Sequence, residues 1–302
     1  MTAITRNKTH EKAHGSSPSR EEDFKILSRA VREAGALASS YFKESPKAFT
    51  KADGSQVSEA DLAVDAGLKL DLTTRRRDYG WLSEESPDDR SRLKYSRVWM
   101  IDPIDGTGAF LREIPEWTIS AALVEDGVPV IGVVYNPEKD EFFHAIRGAG
   151  AFLNDEQIHT TDQGTLEGAK MIASGGLFKK KIWEDPWPNV TAQWVNSVAY
   201  RLALVACGRG DATISLTPKA EWDLAAAAVI VEEAGGVITD HQGAPHGYNS
   251  ENPKFPSLVA SGLSLHPALI ERTSRVDLSA TIRHIAGRPK SQGDIVWLQT
   301  IK

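Results

Sequence analysis

A chain of 302 residues, 41% hydrophobic and 25% charged, has an ordinary globular balance and enough length for one large domain or two. Thirty-five Lys and Arg against 41 Asp and Glu leave a formal net charge of −6 with no long basic run, which argues against a nucleic-acid polymer or a membrane surface as partner. Cys207 is the only cysteine, which excludes an internal disulfide and a thiolate-rich metal site. The longest apolar stretch, 224–231, is too short to span a bilayer, and the N-terminus lacks a signal-like apolar core, so a cytoplasmic location is expected.

Residues 1–20 are polar and aperiodic and are expected to form a disordered arm. From Glu21, apolar residues at three- and four-residue steps (Phe24, Leu27, Val31, Ala34, Leu37) predict a helix to about Phe42. A loop follows through Pro46 and Gly54. Ser58, with Asp61 three residues on, is an imperfect capping box for a second helix reaching toward Arg75. Residues 79–82 read as a short strand ending in Ser83-Glu84-Glu85-Ser86, and the charged stretch 87–94 reads as a loop.

Val98 to Ile101 reads as a buried strand that ends at Asp102. Pro103 stiffens the chain there, and Gly106-Thr107 turns it into a short helix through Leu111, whose free N–H groups would suit a phosphate. Strands are expected over 118–124, 128–135 and 141–146, the first two joined by the hairpin signal Glu125-Asp126-Gly127. Beyond Thr165 strand and helix alternate: strands at 170–173, 211–216, 237–238 and 257–260, and helices at 197–206 and 222–234, the last stopped by Gly235-Gly236. That alternation predicts a layered α/β architecture. We expect a first subdomain over 21–160 carrying most of the site, a second over 161–276 completing it, and a tail of uncertain structure over 277–302.

Asp102 and Asp105 would repel a phosphate seated at the turn unless cations lay between them, so metal is the first hypothesis for this stretch. The plainer alternative is a solvated turn, since Asp-Pro and Asp-Gly are common turn formers. Glu85 follows one short strand, and Asp223 stands where a helix begins. Without thiolates, an all-oxygen donor set suits Mg²⁺ or Mn²⁺ rather than Zn²⁺.

Glu84-Glu85-Ser86, Asp102-Pro103-Ile104-Asp105-Gly106-Thr107 and Trp222-Asp223, with Gly132 to Tyr135 and Glu233 to Gly236 between and after them, resemble the inositol monophosphatase superfamily of Mg²⁺-dependent phosphatases. The resemblance covers about residues 22–262 and implies an α-β-α-β-α sandwich and a lithium-sensitive phosphomonoesterase acting through metal-activated water. It implies one Mg²⁺ on Glu85, Asp102 and the carbonyl of Ile104, a second on Asp102, Asp105 and Asp223, and a weaker third near Glu85. It also implies that the N–H groups of Gly106 and Thr107 cradle the phosphate and that Asp61 pairs with Thr107 to orient the attacking water. A homodimer is implied by resemblance alone.

The resemblance implies a small phosphorylated metabolite as substrate. Inositol-specific members carry a hydroxyl-binding glutamate seven residues before the Trp-Asp aspartate; here that position is Leu216, which cannot accept a hydrogen bond. Residues 57–61 and 79–85 look instead like the bacterial 3′(2′),5′-bisphosphate nucleotidase branch, with Ser174, Arg201 and Lys219 as candidate contacts for a second phosphate. Inositol 1-phosphate is the alternative ester. A catalytically silent relative that binds phosphometabolites is the alternative of another class.

Overall fold

The computed structural model describes residues 18–52 and 54–278. The expected disordered arm and tail therefore lie almost wholly outside the described residues. What is described of them differs at one point: the first helix, α1 (Arg20–Tyr41), begins inside the expected arm because Ser19 caps it, its hydroxyl accepting from Glu22 N–H at 3.2 Å.

After α1 come the hairpin β1 (Ala48–Thr50) and β2 (Gln56–Ser58), in a stretch expected to be a loop, and then α2 (Glu59–Arg75). The large sheet follows, with β3 (Gly80–Ser83) and β4 (Arg97–Asp105), a short helix α3 (Thr107–Phe110), and then β5 (Thr118–Glu125), β6 (Val128–Asn136), β7 (Glu141–Ile146), β8 (Ala151–Leu153) and β9 (Glu156–Gln157). These seven strands lie in chain order, with β3 parallel to β4 and every later pair antiparallel.

The second half supplies β10 (Lys170–Met171), β11 (Thr191–Ala192), α4 (Val198–Ala206), β12 (Ala212–Ser215), β13 (Lys219–Ala220) and α5 (Glu221–Glu233). It ends with β14 (Gly236–Thr239), β15 (Lys254–Phe255), β16 (Leu258–Gly262) and α6 (His266–Thr273). A second sheet runs in the order β11-β10-β12-β16-β14, and β13 pairs with β15.

Period-two alternation explains how these parts stack. On β4, Trp99 and Ile101 face a core shared with α1 and α2, whereas Val98 and Met100 face a second core shared with α4 and α5. That second core also takes in Ile238, Leu258 and Ala260 of the second sheet, whose other face packs Val259 and Ile214 against Leu269 of α6. The order α1/α2, large sheet, α4/α5, small sheet, α6 is the expected α-β-α-β-α sandwich.

α5 is Ala-rich, and it rests so close to the large sheet that a Cβ on Gly132 would overlap the Ala226 carbonyl oxygen. Asp223 therefore starts from a helix that cannot shift. A polar clamp adds to this. Arg92 is fully buried; its guanidinium bonds Asp88 at 2.9 and 3.1 Å, Asn249 Oδ1 at 2.7 Å and the Ser250 carbonyl at 2.8 Å. The Glu221 carboxylate holds the same loop through the N–H groups of Asn249 and Ser250 at 2.7 and 3.0 Å and the Ser250 hydroxyl.

Candidate active site

The site gathers at the C-terminal end of β4, where the chain leaves the sheet. The register between β4 and β5 breaks between Asp102 and Asp105, as Pro103 requires, since it has no N–H to give to the ladder. Asp102 Oδ1 accepts from Ile104 N–H at 3.1 Å, which tightens the turn. Gly106 then takes a left-handed conformation (φ 98°), and α3 begins at Thr107 with its first N–H groups outside the helix's own bonding.

Carboxylate oxygens of Glu84, Asp102 and Asp223 all lie within 4.8 Å of one another. The resemblance implies Glu85 for this place, and the structure brings in its neighbour Glu84 instead. Both glutamates lie in the bend that follows β3, and of the two it is Glu84 whose carboxylate reaches Asp102 and Asp223. Glu84 N–H still bonds the Ile101 carbonyl at 3.2 Å, and its side chain joins the cluster. Glu85 lies next door, its Oε1 bonded to Lys51 Nζ at 2.7 Å, and the same ammonium reaches Glu84 Oε1 at 2.8 Å. Lys51 comes from the hairpin tip, for which the sequence reading assigned no role.

Asp105 sits beside the cluster with one oxygen already used: Oδ2 accepts from Ser197 Oγ at 2.6 Å and from Ala199 N–H at 2.5 Å. The start of α4 is thereby tied to the motif. Asp223 Oδ2 accepts from Ala220 N–H at 2.9 Å, so the residue caps α5 as well as meeting Asp102. Asp61 does pair with Thr107, whose hydroxyl donates to Oδ1 at 3.0 Å and lies 3.1 Å from the Ile104 carbonyl oxygen. Asp61 Oδ2 completes the capping box of α2 by accepting from Ser58 N–H at 2.8 Å.

The electrostatics follow from this crowding. Burial, then the charges of Glu84, Asp105 and Asp223, push the Asp102 carboxyl well above its ordinary value. Burial and then Asp105 raise Asp223 to about 7. Burial also raises Asp105 and Asp61, against the hydrogen bonds that favour their ionised forms, and takes Glu85 to about 7. The fold thus holds acids closer together than their charges tolerate, with Asp102 bonded only to the Ile104 N–H among the contacts described above. A divalent cation with hard oxygen preference fits such a donor set and would remove the repulsion.

Ser174, Arg201 and Lys219, chosen from sequence as contacts for a second phosphate, line one cavity of about 370 Å³, together with Lys180, Trp194 and Leu216. Arg201 is buried; its Nε donates to the Val195 carbonyl at 2.6 Å and Nη2 to that of Asn196 at 3.0 Å. Lys219 Nζ bonds Thr217 Oγ1 and the Pro218 carbonyl, each at 3.1 Å. Arg201 stands on the first turns of α4, whose Ser197 and Ala199 bond Asp105, and Lys219 lies four residues before Asp223, so the cavity is close to the acidic cluster along both segments. Burial lowers both cations, while Asp105 and Asp223 hold them up.

Cys207 caps the C-terminus of α4, half-buried, and burial raises its thiol. It has the character of a packing residue.

The chain is similar to known proteins over most of its length. The family model described as the inositol monophosphatase family matches residues 19–277. An inositol-1-monophosphatase of Mesorhizobium japonicum is 33% identical over 228 residues, covering 72% of this chain and 85% of its own. The Nus factor SuhB of Xylella fastidiosa is 31% identical over 256 residues, covering 81% and 91%. Among solved structures, an IMPase of Thermotoga maritima superposes with a TM-score of 0.73 at 27% identity, covering 88% of this chain and all of its own.

Proposed function

This chain belongs to the inositol monophosphatase family, whose members hydrolyse phosphoric monoesters, and we propose that within it the preferred substrate is a small metabolite bearing a second phosphate, most closely a 3′(2′),5′-bisphosphate nucleotide such as 3′-phosphoadenosine 5′-phosphate. One observation carries the reading. The cavity beside the acidic cluster presents two buried or half-buried cations, Arg201 and Lys219, and at the place of a hydroxyl-accepting glutamate it presents Leu216, itself buried. Charge of that sign suits an anion. A polyol ring would find no acceptor at Leu216.

In this reading Glu84, Asp102 and the Ile104 carbonyl would hold one Mg²⁺, and Asp105 and Asp223 with Asp102 would hold a second. Glu84 takes the role first given to Glu85. A third cation near this pair of glutamates would have to displace the Lys51 ammonium. When bound, Mg²⁺ would offset the carboxylate charge, make a water more acidic and stabilise charge on the leaving oxygen.

The chain's own groups do the rest. N–H groups at Gly106 and Thr107 hold the phosphate at the turn. The Thr107 hydroxyl, fixed by its bond to Asp61, accepts from the attacking water and passes its own proton to the Asp61 carboxylate. Water oxygen bonds phosphorus as the ester P–O bond breaks, giving inorganic phosphate and an alcohol that takes its proton from solvent. Arg201 and Lys219 hold the phosphate that does not react.

The test is phosphate release from 3′-phosphoadenosine 5′-phosphate, inositol 1-phosphate, fructose 1,6-bisphosphate and histidinol phosphate, compared by kcat/KM, with and without EDTA. The bisphosphate nucleotide should lead, and EDTA should abolish activity. A clear lead for inositol 1-phosphate, the ester suggested by the names of several relatives, would overturn the substrate. Phosphate release undiminished by EDTA would overturn the metal chemistry. Release from none of the esters would favour a silent relative.

A further inference from the structure

Trp194 is 52% exposed, unusual for the largest apolar side chain, yet its backbone is not free to wander. On one side β11 pairs with β10, and Gln193 N–H bonds the Met171 carbonyl at 2.9 Å. On the other, Asn196 N–H bonds Glu116 Oε2 at 3.2 Å and Ser197 caps α4. The ring is fixed too. The Arg201 guanidinium sits 4.0 Å from its centroid and is itself held by the Val195 and Asn196 carbonyls. One indole face is therefore backed by a buried cation, and the residue lines the cavity of about 370 Å³ whose Arg201 and Lys219 stand on the segments that carry the bonds to Asp105 and Asp223 itself.

The rest of that lining narrows what would fit. Ile214 and Leu216 are apolar, and the Ser215 and Thr217 hydroxyls lie 3.1 Å apart, with Lys219 donating to Thr217. The neutral polar groups of the lining are the hydroxyls of Ser174, Ser215 and Thr217, with no carboxylate among them, whereas a rigid indole offers a flat surface to another flat ring.

We infer that Trp194 is a specificity-determining platform, its indole stacking the nucleobase of a phosphorylated nucleoside while the reacting phosphate lies at the acidic cluster. This rests on the proposed reading of the same cavity as the leaving-group site. Arg201 then has two tasks, stiffening the platform and adding positive charge beside the substrate's second phosphate.

The experiment measures binding, so it does not depend on turnover. Dissociation constants in Mg²⁺ are compared for adenosine 5′-phosphate and ribose 5-phosphate, which share the phosphorylated ribose and differ at C1′, a base in one and a hydroxyl in the other. Base–aromatic stacking corresponds to about 5- to 150-fold in affinity, so adenosine 5′-phosphate should bind tighter by that order. Trp194→Ala should collapse the ratio toward unity, and Trp194→Phe should keep most of it. Equal affinities in the parent protein, an unchanged ratio in Trp194→Ala, or a loss shared equally by both ligands would overturn the inference. Failure of the phosphatase reading shows separately, as absence of phosphate release.

Discussion

Replacing Asp223 with Asn should make the metal-free protein more stable at about pH 8, although it removes a proposed metal ligand. Burial, followed by the charge of Asp105, lifts the Asp223 carboxyl from its ordinary 3.8 to about 7. An acid whose folded pKa lies above its unfolded value binds more protons when folded. Its stability contribution is therefore intact below about pH 4, declines as pH rises to about 7, and stays low above that. A rise of about three pH units at about 1.4 kcal/mol each gives about 4 kcal/mol. That is a ceiling, because the repulsion is shared with Asp105 and a margin of Asp223 still meets solvent. Asn keeps an oxygen for the Ala220 N–H, 2.9 Å away in the parent, so the helix cap survives the change. Urea unfolding in EDTA from about pH 4 to about pH 8 should show the parent losing stability with rising pH and Asp223→Asn losing less. Excess Mg²⁺ should stabilise the parent much more than the variant. A variant less stable than the parent in EDTA at about pH 8, or one with the same pH slope, would refute the account of crowded buried charge.

Asp61→Asn should lower kcat by about 10²- to 10⁴-fold with substrate KM little changed, because in the proposed mechanism Asp61 acts through the Thr107 hydroxyl it bonds rather than on the substrate; a rise in KM alone would contradict that role. Glu84→Gln should raise the Mg²⁺ concentration for half-activation more than Glu85→Gln does, and metal titrations giving the reverse order would return the assignment to Glu85. Gly106→Ala puts a side chain at φ 98° with its Cβ 3.0 Å from the Glu116 carbonyl oxygen, and should cost about 1–3 kcal/mol in thermal unfolding as well as much of the activity. Wild-type stability in that variant would show that the turn relaxes freely.

The motif 102–107 was legible because its constraints are local: a Pro inside a strand end, a Gly at a turn, acids at fixed spacing. The layered order was legible because strands buried on both faces alternate with helices. What escaped depended on direction or distance. Glu84 and Glu85 differ by one position, and nothing in the sequence says which faces Asp102 until the strand end is built. The β1–β2 hairpin lacks an apolar alternation, since β1 is wholly exposed, so it read as a loop and Lys51 at its tip went unnoticed. Residues 87–94 are charged and read as solvent-facing, yet they hold a 3₁₀ turn (Ser91–Lys94) with Arg92 fully buried. A buried Arg needs partners, and these lie far along the chain at Asn249 and Ser250. Trp194 sits in a polar stretch whose only signal was an isolated aromatic, and α6 was not anticipated at all.

The clamp around residues 249–250 bears on the order in which the protein matures. Arg92, just after Glu84, and Glu221, just before Asp223, grip that loop together. The large sheet is built mostly from neighbouring strands and can form from local pairings early. Two carboxylates of the cluster can then be delivered by β3 and β4, but the third waits for α5 and for a loop that follows it in the chain. A nascent chain halted before residue 249 would carry most of its sheet while lacking the contact that fixes Asp223. The proposed affinity for metal is thus tied to the segment that carries residues 249 and 250, and a copy without it would be poorly equipped for the proposed hydrolysis.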